Sequence, residues 1–77
     1  MQDSKQRILT IATRRFARDG YSGTSLQGIA DEVGMRKPSL LYHYASKEVL
    51  REAVIADLLE RWQTRLPDVL AKAGMGD

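Results

Sequence analysis

The sequence predicts an all-α fold, a three-helix bundle containing a helix-turn-helix and extended by a long fourth helix. Three observations in one stretch predict it. From Thr24 to Val33, the residues Leu26, Ile29, Ala30 and Val33 recur at helical spacing and form a single apolar stripe. Gly34 follows at once, and a residue without a Cβ ends a helix in the left-handed conformation at little cost. Arg36-Lys37-Pro38-Ser39 then opens another helix, because the first-turn amides have no intrahelical acceptor and proline is tolerated there. Leu40 and Tyr44, four residues apart, continue the buried face, with Met35 dipping toward the core. The small Ala30, four residues before Gly34, lets the two short helices cross closely.

Taken in order, the first helix begins after Met1 to Asp3. Asp3 is its cap, with Gln6 three positions on completing a capping-box pattern. Ile8, Ile11, Ala12, Arg15 and Phe16 give a stripe of about four turns ending at Asp19-Gly20, with Phe16 as the largest core contribution. Lys5, Arg7, Arg14, Arg15 and Arg18 lie off the stripe or at its edge. A solvated face accounts for most of them; Lys5 and Arg7 stay open as phosphate contacts. Tyr21-Ser22-Gly23 connects to the second helix.

Thr24 is the expected cap of the second helix and Gln27 its box partner. Gln27 thus has two readings, satisfying the Thr24 amide or reaching a base edge, with the second favoured. Gly28 inside this helix costs about 1 kcal/mol relative to alanine and has no evident packing reason. The third helix, about Lys37 to Tyr44, is short and must be stabilised by packing Leu40 and Tyr44. Its exposed face carries Arg36, Lys37, Ser39, Tyr42 and His43, and no acidic residue lies between Glu32 and Glu48. Such groups suit phosphate oxygens and base edges in a major groove. The competing reading is an ordinary helical hairpin with a solvated basic end, and His43 fits half-buried support as well as DNA contact.

Ser46 caps the fourth helix, expected from Lys47 to about Arg65. Leu50, Ala53, Val54, Asp57 and Leu58 would pack on the first helix, while Ile55, Leu59, Trp62 and Leu66 form a second stripe that three helices cannot cover. Pro67 is expected to break the helix, and Asp68 to Ala73 to make a short final one ending at Gly74.

Seventy-seven residues allow one small domain, near the size at which a core suffices without cross-links. The absence of cysteine excludes disulfides and thiolate metal sites. No apolar run approaches the length of a membrane span, and no signal-peptide core is present. Residues 1–50 hold eight Lys and Arg against five Asp and Glu, whereas residues 51–77 hold four against five, so the basic excess lies in the first part. One histidine and scattered surface acids provide no nucleophile–base pair, no metal-ligand spacing and no phosphate-binding glycine loop, so no enzyme activity, metal or cofactor is expected.

The segment Gly20 to Leu50 resembles the N-terminal DNA-binding domain of the tetracycline-repressor (TetR) family of bacterial regulators. The resemblance rests on Gly20-Tyr21 before Thr24-Ser25, then Ile29-Ala30, Gly34, Pro38-Ser39-Leu40, Tyr42-His43-Tyr44 and Ser46-Lys47-Glu48. In pattern it extends from about Lys5 to Leu59. It implies a homeodomain-like, TetR-type fold, with residues 1–46 as the helix-turn-helix core and 47–66 as a helix linking to an effector domain. Residues 67–77 would begin that domain, which is otherwise absent. The implied function is a sequence-specific, ligand-responsive repressor that binds double-stranded DNA at a palindromic operator. It would act as a homodimer through the missing C-terminal domain, respond to a small-molecule effector, and reside in the cytoplasm with the nucleoid.

By the same resemblance, Tyr21 packs over the core, and Lys47 holds a phosphate together with its helix N-terminus. Lys47 and Thr24 would clamp phosphate, while Gln27, Arg36, Lys37, Ser39 and Tyr42 would read or position. Two residues depart from the family pattern. Arg36 stands where a capping serine is common, gaining a charge and weakening the cap. Leu41 stands where a phosphate-contacting tyrosine is frequent, leaving an apolar group that could touch a thymine methyl. The alternative function is a small helical protein-interaction module that uses the Ile55, Leu59 and Trp62 face.

Overall fold

The computed structural model describes the backbone of residues 3–70 and the side chains of residues 3–63. Four helices follow one another: α1 (Ser4–Asp19), α2 (Leu26–Val33), α3 (Lys37–His43) and α4 (Lys47–Leu70). No strand occurs among the described residues. Helix α1 packs against both α2 and α4, and α2 packs against α3. The core lies where these faces meet. Ile8, Leu9 and Ala12 of α1 enclose it with Ile29, Ala30 and Val33 of α2, Leu40 and Tyr44 around α3, and Leu50 and Val54 of α4. Burying a leucine or isoleucine contributes about 1.5–3 kcal/mol, so these few side chains hold the bundle together.

The caps explain the boundaries. Asp3 accepts a hydrogen bond from the Gln6 amide at 2.8 Å, starting α1 as the sequence predicts. Gly34 takes φ 89° and ψ 32°, the left-handed conformation expected of it. Its amide donates to the Ala30 and Asp31 carbonyls, and the Met35 amide donates to Ala30 at 2.9 Å. That closes α2 with a Schellman turn and aims the chain into α3. Ser46 caps α4, its hydroxyl accepting from the Val49 amide at 3.1 Å.

Several expectations need correction. The cap of α2 is Ser25, whose hydroxyl accepts from the Gly28 amide at 2.9 Å, and not Thr24. Two adjacent hydroxyl residues can each serve as a cap. The choice falls to Ser25 because Thr24 is needed inside, where its hydroxyl reaches the Gly20 carbonyl (2.8 Å) and the Arg15 carbonyl (3.2 Å). Phe16 is not the chief core residue of α1; Ile8 and Ala12 are fully buried, while Phe16 is half-buried with its ring 5.6 Å from that of Tyr21. Gly28 has a close neighbour, since a Cβ there would lie 2.9 Å from the Arg15 guanidinium, the movable end of a flexible side chain. Arg15 passes over that glycine to reach Glu32 at 2.7 Å.

Leu58 stays 41% exposed rather than packed on α1. Helix α4 also runs through Pro67 to Leu70. Proline's fixed φ is itself helical, so a helix can continue through it, at the cost of one backbone hydrogen bond and a ring that crowds the preceding turn. The expected final helix therefore begins within α4, and its remainder, from Ala71, lies outside the described residues, as does the Leu66 side chain.

Candidate nucleic-acid interface

Helix α3 is held from one side. Leu40 is fully buried beneath it, and Tyr44, which ends it, is buried with its hydroxyl donating to the Lys5 carbonyl at 3.4 Å. Burial pushes the Tyr44 phenol above its usual range, so it remains a neutral donor. With that face fixed, the helical repeat turns Arg36, Lys37, Ser39 and Tyr42 outward, and all four are exposed. Tyr42 is 86% exposed, and its ring meets the edge of His43 at 5.4 Å. Leu41 and His43 are half-buried at the flanks of this face. Arg36 starts α3 without a side-chain cap, as its replacement of a hydroxyl residue predicts.

The electrostatics sort the cations sharply. Arg7 donates to the Val33 carbonyl at 3.0 Å, so it satisfies the C-terminal end of α2 and is not a free basic arm. Arg14 and Arg15 both pair with Glu32. Arg18 pairs with Asp19 at 2.9 Å and Arg61 with Asp57 at 3.0 Å. Lys5 lies 5.7 Å from the centre of the Tyr44 ring. Lys47 lies 4.2 Å, and Arg51 5.1 Å, from the centre of the Tyr21 ring. Among the described lysines and arginines, only the side chains of Arg36 and Lys37 have neither a hydrogen bond nor an ion pair nor an aromatic ring beside them. Both sit at the exposed start of α3.

The candidate residues therefore divide. Arg36, Lys37, Ser39 and Tyr42 share one exposed face, with Leu41 and His43 beside it. Gln27 is exposed on α2, its side-chain amide donating to Asp31 at 2.8 Å. With Ser25 as the cap, Gln27 falls one position short of the box partner, and that reading is withdrawn. Lys47 is half-buried at the start of α4. Thr24 is not with them: it is 2% exposed, with its hydroxyl bonded inside and its amide donating to the Tyr21 carbonyl at 3.3 Å.

A substitution separates these two kinds of residue. Thr24→Val should lower stability by about 1–2 kcal/mol, since the carbonyls of Arg15 and Gly20 lose a donor. It should leave the salt dependence of any DNA binding unchanged, which thermal melts and a salt titration of the same variant would check. Sequence reasoning did not single out Arg51, and it read the Tyr21 ring as packing over the core rather than as lying beside Lys47 and Arg51. The available signal was their spacing of four residues on one helix.

Comparison with known proteins finds relatives of this chain. The family described as bacterial regulatory proteins, tetR family, matches residues 8–54. The chain is 41% identical over 58 residues to the HTH-type transcriptional regulator RutR of Escherichia coli K12, covering 75% of this chain and 27% of that protein. It is 38% identical over 69 residues to the HTH-type transcriptional regulator LmrA of Bacillus subtilis, covering 88% and 37%. It is 33% identical over 69 residues to the HTH-type transcriptional repressor KstR2 of Mycolicibacterium smegmatis, covering 90% and 34%. The chain thus spans 27% to 37% of the length of these relatives. No solved structure gives a significant match.

Proposed function

The chain belongs to the tetR family of bacterial regulatory proteins, and from that premise we propose that these residues form the DNA-reading head of a ligand-responsive transcriptional repressor. The observation that carries the reading is the Arg36–Lys37 pair on an exposed, acid-free helix face, the two described Lys or Arg side chains with no carboxylate, carbonyl or aromatic ring beside them. Helix α3 would enter the major groove, with Arg36, Lys37, Ser39 and Tyr42 reading or positioning and Gln27 reaching from α2. Leu41 and His43 would meet the groove walls. Two heads, joined through the part of a longer protein that pairs them, would address successive major grooves of a palindromic operator.

An effector that changed the spacing of the heads would release them. The exposed Ile55, Leu59 and Trp62 on α4 would then meet that larger part. On this reading the protein works in the cytoplasm, on the nucleoid, and catalyses no reaction. No helix of the described residues is long and apolar enough to cross a membrane, and no group of three potential metal ligands occurs among them.

Lys47 would grip phosphate from the start of α4, where a cation joins free backbone amides. Lys47→Ala should weaken binding to every duplex alike and reduce the slope of log affinity against log salt by about one. Titration of two unrelated duplexes at two salt concentrations tests this, and an unchanged slope would remove Lys47 from the contact set. The same apolar α4 face favours a second reading, a protein-interaction module. Salt separates the two, since phosphate-dominated binding weakens steeply with salt and an apolar helical interface does not.

A further inference from the structure

Lys47 is not alone at the start of α4. Arg51 lies one helical turn further on, about 6 Å along the axis, and both cations come within reach of the Tyr21 ring, at 4.2 and 5.1 Å from its centre. The connection between α1 and α2 places that ring, and Phe16 packs against it. We propose that Arg51 is a further phosphate-contacting residue, and that the face of Tyr21 holds it together with Lys47 as a two-cation site for the DNA backbone. The inference rests on the DNA-reading function proposed above.

The local charges support it. An aromatic face attracts a cation through its quadrupole without neutralising it, so both charges remain available to an anion. Glu48, beside Lys47 in the first turn of α4, has its carboxyl held below the usual carboxylate range. Its own backbone amide is the largest cause, with smaller ones from the Ser46 and Tyr21 hydroxyls and, last, the Arg51 charge. Among the described residues no carboxylate lies within ion-pair distance of Lys47 or Arg51. The Tyr21 ring thus lies beside both cations without cancelling either charge. Arg51 is exposed, so its removal spares the core.

The test is a salt titration of duplex binding for the parent chain and for Arg51→Ala, Arg51→Lys and Tyr21→Phe, each checked for an unchanged melt. Arg51→Ala should reduce the log–log salt slope by about 0.9, so its penalty is about 3.5-fold larger at 50 mM than at 200 mM salt. The penalty should be the same for all duplex sequences. Arg51→Lys should restore the slope, because the site requires charge on that face. Tyr21→Phe keeps the ring face and should keep the parent slope. A parent that binds steeply and an Arg51→Ala variant of equal slope would overturn this inference while leaving the DNA-reading function intact. A lowered slope in Tyr21→Phe would assign the effect to the hydroxyl, and a Tyr21→Leu variant of parent slope would overturn the role of the ring face. A parent with no salt-dependent binding would overturn both the inference and the function beneath it.

Discussion

Replacing Arg36 and Lys37 together by alanine should reduce DNA affinity by about 30- to 900-fold at moderate salt while leaving the fold unchanged. The two side chains are the uncommitted cations of the described chain, and both lie at the exposed start of α3. Neither has an internal partner whose loss could unfold the protein, so stability should move by no more than about 0.5 kcal/mol. If each makes one contact with phosphate or a base edge, the pair contributes about 2–4 kcal/mol of binding. The single variants separate reading from gripping. A residue bonded to a guanine edge should, when removed, relax specificity at one base position, whereas a phosphate contact should weaken all sequences alike. Arg36 is the residue to watch. It occupies the cap position without capping, so stability gives no reason for a long cation there.

The largest expected loss of stability comes from a residue that touches no DNA. Gly23→Ala should destabilise the domain by about 3 kcal/mol, since the added methyl would overlap the Asp19 carbonyl oxygen at the end of α1. Backbone, unlike the end of a flexible side chain, cannot swing aside. Relief must come from moving the connection that carries Thr24 and its two internal hydrogen bonds. For a chain of this length total stability is about 4–12 kcal/mol, so the melting temperature should fall by about 12–24 °C. Gly28→Ala is the matching control. Its methyl would meet the Arg15 guanidinium, which can move, and alanine recovers about 1 kcal/mol of helix propensity. Its melt should stay within a few degrees of the parent. A Gly23→Ala protein as stable as the parent would show that this connection yields more easily than its close approach to α1 implies.

These two glycines mark what the sequence could and could not disclose. The helices, the glycine turn after Val33, the buried Leu40 and Tyr44 and the outward basic face were legible because they depend on local spacing and turn chemistry. The cap at Ser25 was not, because Thr24 and Ser25 are equally able to cap in isolation. Contact with α1 decides between them by drawing Thr24 inside. The neighbour of Gly28 was hidden for a similar cause: it is Arg15, thirteen positions earlier, lying across α2. The sorting of the cations was hidden most of all. Arg7 bonded to the Val33 carbonyl and Arg36 bonded to nothing look alike as letters, and only packing separates them. Likewise, Lys47 was legible as a candidate contact, whereas the Tyr21 ring beneath it and Arg51 beside it required the α1–α2 connection to be placed against α4.

The most direct test of the central claim is selection of this domain against a random pool of duplexes, followed by titration of the winning sequence at 50 and 200 mM salt. A DNA-reading head should enrich a defined motif, palindromic or a half-site, and bind it with a steep salt slope that the Arg36 and Lys37 variants reduce. No enriched sequence, together with a flat slope, would contradict the account. The exposed Ile55, Leu59 and Trp62 face of α4 would then be the surface that explains the protein.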